Sequence, residues 1–102
     1  MVSIITVSKA QRKIADGVRA RRLARNLSQA GLAERSGVPA PTLAKFERTG
    51  LISLESYLKL EMALGNLEAV TAASAFEPEA FSSIDAVLEA ARAPARKRGR
   101  RK

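Results

Sequence analysis

A small all-α protein built from five helices is what this sequence predicts, and three observations carry that expectation. From Ser28 to Arg48 the residues SQAGLAERSGVPAPTLAKFER place apolar side chains at helical spacing on both sides of a break at Gly37-Val38-Pro39. Elsewhere serines stand where helices would begin, and asparagine or glycine where they would end. The length of 102 residues suits one small domain with tails, whose core is marginal enough that dimerisation would help it.

Each element follows in order. Ser8 with Gln11 three residues on is a capping-box signal, so helix one is expected from Lys9 to about Arg25, with Ile14 and Val18 as its clearest core residues. Asn26 suits a left-handed exit. Ser28 can cap helix two through its hydroxyl, which turns Leu32 and Ala33 inward before the break. Helix three resumes with Leu43 and Phe46 inward and runs to Arg48, where Thr49-Gly50 ends it. Helix four begins after Ser53 and is expected to bury Leu54, Leu58 and a share of Tyr57, Met62 and Leu64 before Gly65-Asn66. Helix five, Leu67 to about Phe76, is alanine-rich, with Val70 and Phe76 to pack. Before the domain, Val2 to Val7 is β-branched and reads as a candidate strand needing a partner from another chain, or equally as an unordered arm. After it, Glu77-Pro78-Glu79 is a break, and Phe81 to Ala90 reads as a short amphipathic helix that must dock on something. The expected division is thus an arm or strand over 1–8, a helical domain over 9–76, a linker with amphipathic helix over 77–91 and a basic, disordered tail over 92–102.

Composition removes several classes of function. With no cysteine and no histidine, disulfides, Cys/His zinc sites, histidine acid-base catalysis and cysteine nucleophiles are excluded. No metal, cofactor or enzymatic activity is expected, because nothing supplies a nucleophile with its base. No apolar run is long enough to span a membrane, and Val2 to Val7 lacks the basic flank of a signal peptide, so a soluble, cytoplasmic, nucleoid-associated protein is expected. The net charge of +8 is unevenly placed: the seven cations from Lys9 to Arg25 and the seven from Arg92 to Lys102 flank a stretch, Leu67 to Ala91, that carries five acids and no base. Such blocks imply a phosphate-facing domain, a middle segment with another destination and a cationic arm.

The two helices joined across Gly37 have the layout of a helix-turn-helix that reads duplex DNA, with the outward residues at the start of the second helix free to meet base edges. Those residues are Pro39, Ala40, Pro41, Thr42 and Lys45. Prolines and an alanine offer few hydrogen bonds, so contact with thymine methyl groups is expected there, with Thr42 and Lys45 as the polar readers and specificity leaning on DNA shape. Gln29 is the first residue inside helix two, where free backbone N–H groups suit an anion, so it joins Arg22, Ser28 and Arg48 as an expected phosphate contact. Arg22 and Glu47 are also candidates for a partly buried ion pair whose role is orientation more than net stability.

These stretches resemble the Cro/phage-repressor-like helix-turn-helix domains, the Xre family, over roughly Arg12 to Phe76. The resemblance rests on Leu27-Ser28-Gln29, on Leu32-Ala33-Glu34-Arg35-Ser36-Gly37-Val38, on Phe46-Glu47-Arg48 and on Ser53-Leu54-Glu55. It implies the five-helix lambda-repressor-like fold, a phosphate clamp at Gln29 and a salt bridge between Arg22 and Glu47. The sequence departs from the family at Pro39-Ala40-Pro41, where a capping serine and polar readers are usual, at Gly31 inside a helix and at Arg21, where an apolar residue is usual. An Xre domain followed by an amphipathic segment and a basic tail is similar to antitoxins of the HipB type. That likeness implies a homodimer on an inverted-repeat operator and a HipA-like kinase toxin as partner, held through Phe81, Ile84, Val87 and Leu88. A stand-alone phage-like or chromosomal repressor, and an interaction adaptor that reads no specific sequence, are the other readings. In the tail, Arg98-Gly99-Arg100 looks like the core of an AT-hook, with a general phosphate-binding arm as the alternative.

Overall fold

The computed structural model describes residues 4–76 and Pro78. Five helices follow one another: α1 (Val7–Ala24), α2 (Gln29–Ser36), α3 (Ala40–Thr49), α4 (Leu54–Ala63) and α5 (Leu67–Ala73). α1 packs on α3, α2 lies against both α3 and α4, and α5 packs on α4. The core between them is Ala15 and Val18 of α1, Leu32 of α2, Val38 of the turn, Leu43 and Phe46 of α3, and Leu60 and Leu64 at the end of α4. Phe46 meets Tyr57 edge to face, with ring centroids 6.2 Å apart. Among the described residues, no helix is long and apolar enough to cross a membrane.

Helix starts are set by hydroxyls in extended backbone. Ser28 accepts from the Gly31 amide and Ser53 from the Ser56 amide, each satisfying a donor that the helix itself cannot. α1 begins earlier than Ser8 and Gln11 suggest: Thr6 is the cap, accepting from the Lys9 amide at 3.1 Å, and Ser8 lies inside the first turn. The candidate strand is therefore corrected at its end, since Val7 opens α1 and Ile4 to Thr6 form no strand. Val2 lies outside the described residues. Helix ends use left-handed backbone. Asn26 takes φ 57°, and Gly37 at φ 81° donates to Ala33 O, closing α2 and turning the chain into α3. Ser36 Oγ accepts from the Val38 amide at 3.1 Å, and Val38, 1% exposed, plugs the core.

Four further expectations about the core are corrected. Ile14 is 45% exposed, because the buried stripe of α1 is Ala15, Val18 and Arg22, and Ile14 sits at the rim of a shallow apolar groove with Phe46, Ile52, Leu54 and Tyr57. Leu54 and Met62 are exposed, at 70% and 62%, since α4 turns Tyr57, Leu60, Glu61 and Leu64 inward instead. Those four follow the i, i+3, i+4, i+7 rule. Phe76 is exposed and lies beyond α5, which ends at Ala73.

Candidate nucleic-acid interface

Two buried carboxylates organise the site. Glu47 of α3, its side chain 4% exposed, accepts from Arg22 of α1 in a two-point pair, Nε to Oε2 at 2.8 Å and Nη2 to Oε1 at 2.9 Å. Gln29 at the start of α2 donates through Nε2 to the same Oε1 at 3.0 Å. One side chain therefore joins three helices. Burial by itself would raise the Glu47 carboxyl, but the hydrogen bonds from Arg22 and Gln29, with the charges of Arg22 and Arg19, hold it below the usual carboxylate range. Arg22 spends a further donor on Leu27 O at 2.8 Å, which fixes the link between α1 and α2. Its side chain is 7% exposed, with the guanidinium turned to protein partners.

The second carboxylate is Glu61 of α4, which no feature of the hydrophobic pattern singles out. Arg21 pairs with both its oxygens, Tyr57 donates its hydroxyl to Oε2, and Asn66 Nδ2 donates to Oε1 at 3.1 Å. Burial acts to raise this carboxyl too, and the hydrogen bonds from Arg21, Tyr57 and Asn66 prevail and hold it low. Burial, then the hydrogen bond to Glu61 and its charge, push the Tyr57 phenol up to about 12. Arg21, at a position where the Xre pattern is usually apolar, is thus accounted for: its charge has a buried partner three helices on, in α4. The one sequence signal is that departure at Arg21; nothing in the sequence marks Glu61, 40 residues on, as its partner.

Arg12 is a third cation engaged by protein acceptors, though its side chain stays partly exposed. It donates to the Glu47 and Arg48 carbonyls at 2.7 and 2.6 Å, and to Asp16 at 3.2 Å. These bonds satisfy two of the acceptors left open at the end of α3. Gly50, at φ 83°, donates to Phe46 O and completes that end against the backbone of Gln11.

The outer face of α3 is what remains. Pro39 caps it without a side-chain bond, Pro39, Pro41, Lys45 and Arg48 are exposed, and Ala40 and Thr42 are half-buried. Pro41, Lys45 and Arg48 fall on one stripe, at i, i+4 and i+7. The Thr42 and Leu43 amides both reach Pro39 O, so the first turn is formed despite the missing cap. Ser28 is exposed and its hydroxyl is engaged by Gly31. The tail residues Arg98, Gly99 and Arg100, and Phe81, Ile84, Val87 and Leu88, lie outside the described residues. Among the described residues, no cluster of carboxylates could hold a metal ion.

The family model for helix-turn-helix domains matches residues 18–69, which runs from the middle of α1 into α5 and contains α2, the Gly37 turn and α3. The chain belongs to the helix-turn-helix family. It is a DNA-binding protein of the Xre type, and neither a characterised protein nor a solved structure matches it significantly. In this helix-turn-helix protein the Glu47 carboxylate ties the start of α2 to α3, and the second helix of the motif presents its prolines and Lys45 outward.

Proposed function

We propose that the protein is a sequence-specific transcriptional repressor that binds an inverted-repeat operator as a homodimer. The observation that carries this reading is the Glu47 joint, because it holds the recognition helix to both α1 and the start of α2 while leaving Pro39, Ala40, Pro41, Thr42 and Lys45 to meet a major groove. Lys45 can reach guanine O6 or N7, and Ala40 and Pro41 suit thymine methyl groups. Gln29, Ser28 and Arg48 lie towards the flanking phosphates, and Arg22 acts chiefly by orienting α3. The finer assignment is an antitoxin that autoregulates its operon and binds a HipA-like kinase toxin. Its support is the acidic amphipathic sequence around Phe81, Ile84, Val87 and Leu88, which follows the domain, with the Arg98-Gly99-Arg100 arm adding phosphate contacts.

Footprinting on DNA selected from a random pool is expected to show two symmetric half-sites about one helical turn apart. Lys45→Ala should cost about 1–3 kcal/mol at one base position in each half-site and little on random DNA. A single half-site saturated by a monomer would overturn the dimeric reading, and equal loss on both DNAs would reduce Lys45 to a backbone contact. Copurification of a kinase with the full chain, abolished by Ile84→Ser with Leu88→Ser while the footprint persists, separates the antitoxin from a plain repressor.

A further inference from the structure

Of the arginines along α1, Arg12, Arg21 and Arg22 each donate two or more hydrogen bonds to protein acceptors. Arg19 is different. Its carboxylate neighbour among the described residues is Glu47, whose Oε1 lies 3.9 Å from Nε, beyond hydrogen-bonding distance, and its side chain is 58% exposed. That oxygen already accepts from Arg22 and from Gln29, and Oε2 accepts from Arg22 as well, so the carboxylate has little left to offer. Two guanidiniums against one carboxylate leave a single positive charge in excess. The excess sits on the exposed member, since Arg22 is buried and turned inward.

Gln29 donates to the same oxygen at 3.0 Å, so the Arg19 guanidinium and the Gln29 carboxamide both lie within 4 Å of one carboxylate atom. Gln29 spends one amide hydrogen on Glu47 and keeps the other. A phosphodiester has two unbridged oxygens and one negative charge. A guanidinium fork supplies the charge and paired donors, and an oriented carboxamide supplies one more hydrogen bond.

We propose that Arg19 and Gln29 form a two-point clamp on a DNA phosphodiester, with Glu47 as their common anchor and Arg19 as the charge-bearing member. The assignment rests on the DNA-binding reading above and moves the ionic contact from Arg22 to Arg19. Glu47 then has two tasks: it neutralises Arg22 for burial and it holds Arg19 and Gln29 in register. Among the described residues Arg19 donates no hydrogen bond to a protein acceptor, so the fold is expected to survive its removal.

The test is fluorescence anisotropy with the full chain, on a selected duplex and on a scrambled one, across a series of potassium chloride concentrations. For Arg19→Gln the slope of log affinity against log salt should become shallower by about 0.9, the value for one phosphate contact on B-DNA. Affinity should fall by the same factor on both duplexes, and the melting temperature should stay put. Arg19→Lys should restore the slope, and adding Gln29→Ala to Arg19→Gln should weaken binding without changing the slope further. An Arg19→Gln slope equal to that of the unaltered chain overturns the clamp while leaving DNA binding standing. A loss confined to the selected duplex also overturns it. If the unaltered chain binds neither duplex, the DNA-binding reading and the clamp fall together.

Discussion

At the scale of single residues, the fold trades charge between surface and interior. Glu47 and Glu61 are buried acids whose native ionisation is protected by arginines, so each binds its proton less readily folded than unfolded. The unfolded chain therefore takes up protons first as pH falls, and the stability these groups supply is present above the ordinary glutamate value of about 4.3 and lost below it. With no histidine and no cysteine in the chain, no side chain has an ordinary pKa between those of glutamate and tyrosine, and urea-denaturation midpoints should hardly change from pH 5 to 8. They should drop steeply below about pH 4. Glu61→Gln should show a smaller drop than the unaltered chain, and an equal drop would mean that other carboxyls govern acid unfolding. Glu47→Ala at neutral pH should cost about 3–5 kcal/mol, because it strands Arg22 in the interior. The Arg22–Glu47 pair was legible in sequence through its neighbours Val18 and Phe46. Arg21–Glu61 was not, since each residue alone reads as a surface charge and only the fold brings residues 40 apart together.

At the scale of elements, boundaries and phases were unequally readable. Ser28, Asn26, Gly37 and Gly50 fixed ends of helices through hydroxyl capping and left-handed backbone, both local properties that sequence carries directly. The phase of α4 was hidden because Leu54, Leu58 and Met62 make a second apolar stripe, while the buried stripe contains Glu61. A neutralised carboxylate hides the inward face from any reading based on hydrophobicity. Glycines test the same distinction between local and tertiary demand. A Cβ at Gly17, inside α1, would meet Arg21 Nη2 at 3.7 Å, an ordinary contact, so Gly17→Ala should stabilise the protein by about 0.5–1 kcal/mol. At Gly50 a Cβ would come within 3.2 Å of the Gln11 backbone on a chain held at φ 83°, so Gly50→Ala should destabilise by about 1–3 kcal/mol. Thermal melts of the two variants should move in opposite directions, and two shifts of the same sign would contradict this placement of α1 against the end of α3.

At the scale of the whole molecule, the helices are local structures, but the bonds that lock them are not. Arg22–Glu47 spans 25 residues and Arg21–Glu61 spans 40. Helices and their first apolar contacts can assemble on short loops, whereas each ion pair must shed water from both partners and needs two helices distant in the chain already docked, α1 with α3 or α1 with α4. The pairs should therefore close after the folding barrier has been crossed. In stopped-flow urea experiments, Glu61→Gln should speed unfolding by most of the factor that it costs at equilibrium and leave the refolding rate nearly unchanged. A refolding limb slowed by that whole factor would place the pair before the barrier. If the pairs do close late, the buried charges behave as latches: they set how long a native molecule lasts before it opens to a protease, and have little say in how quickly it forms.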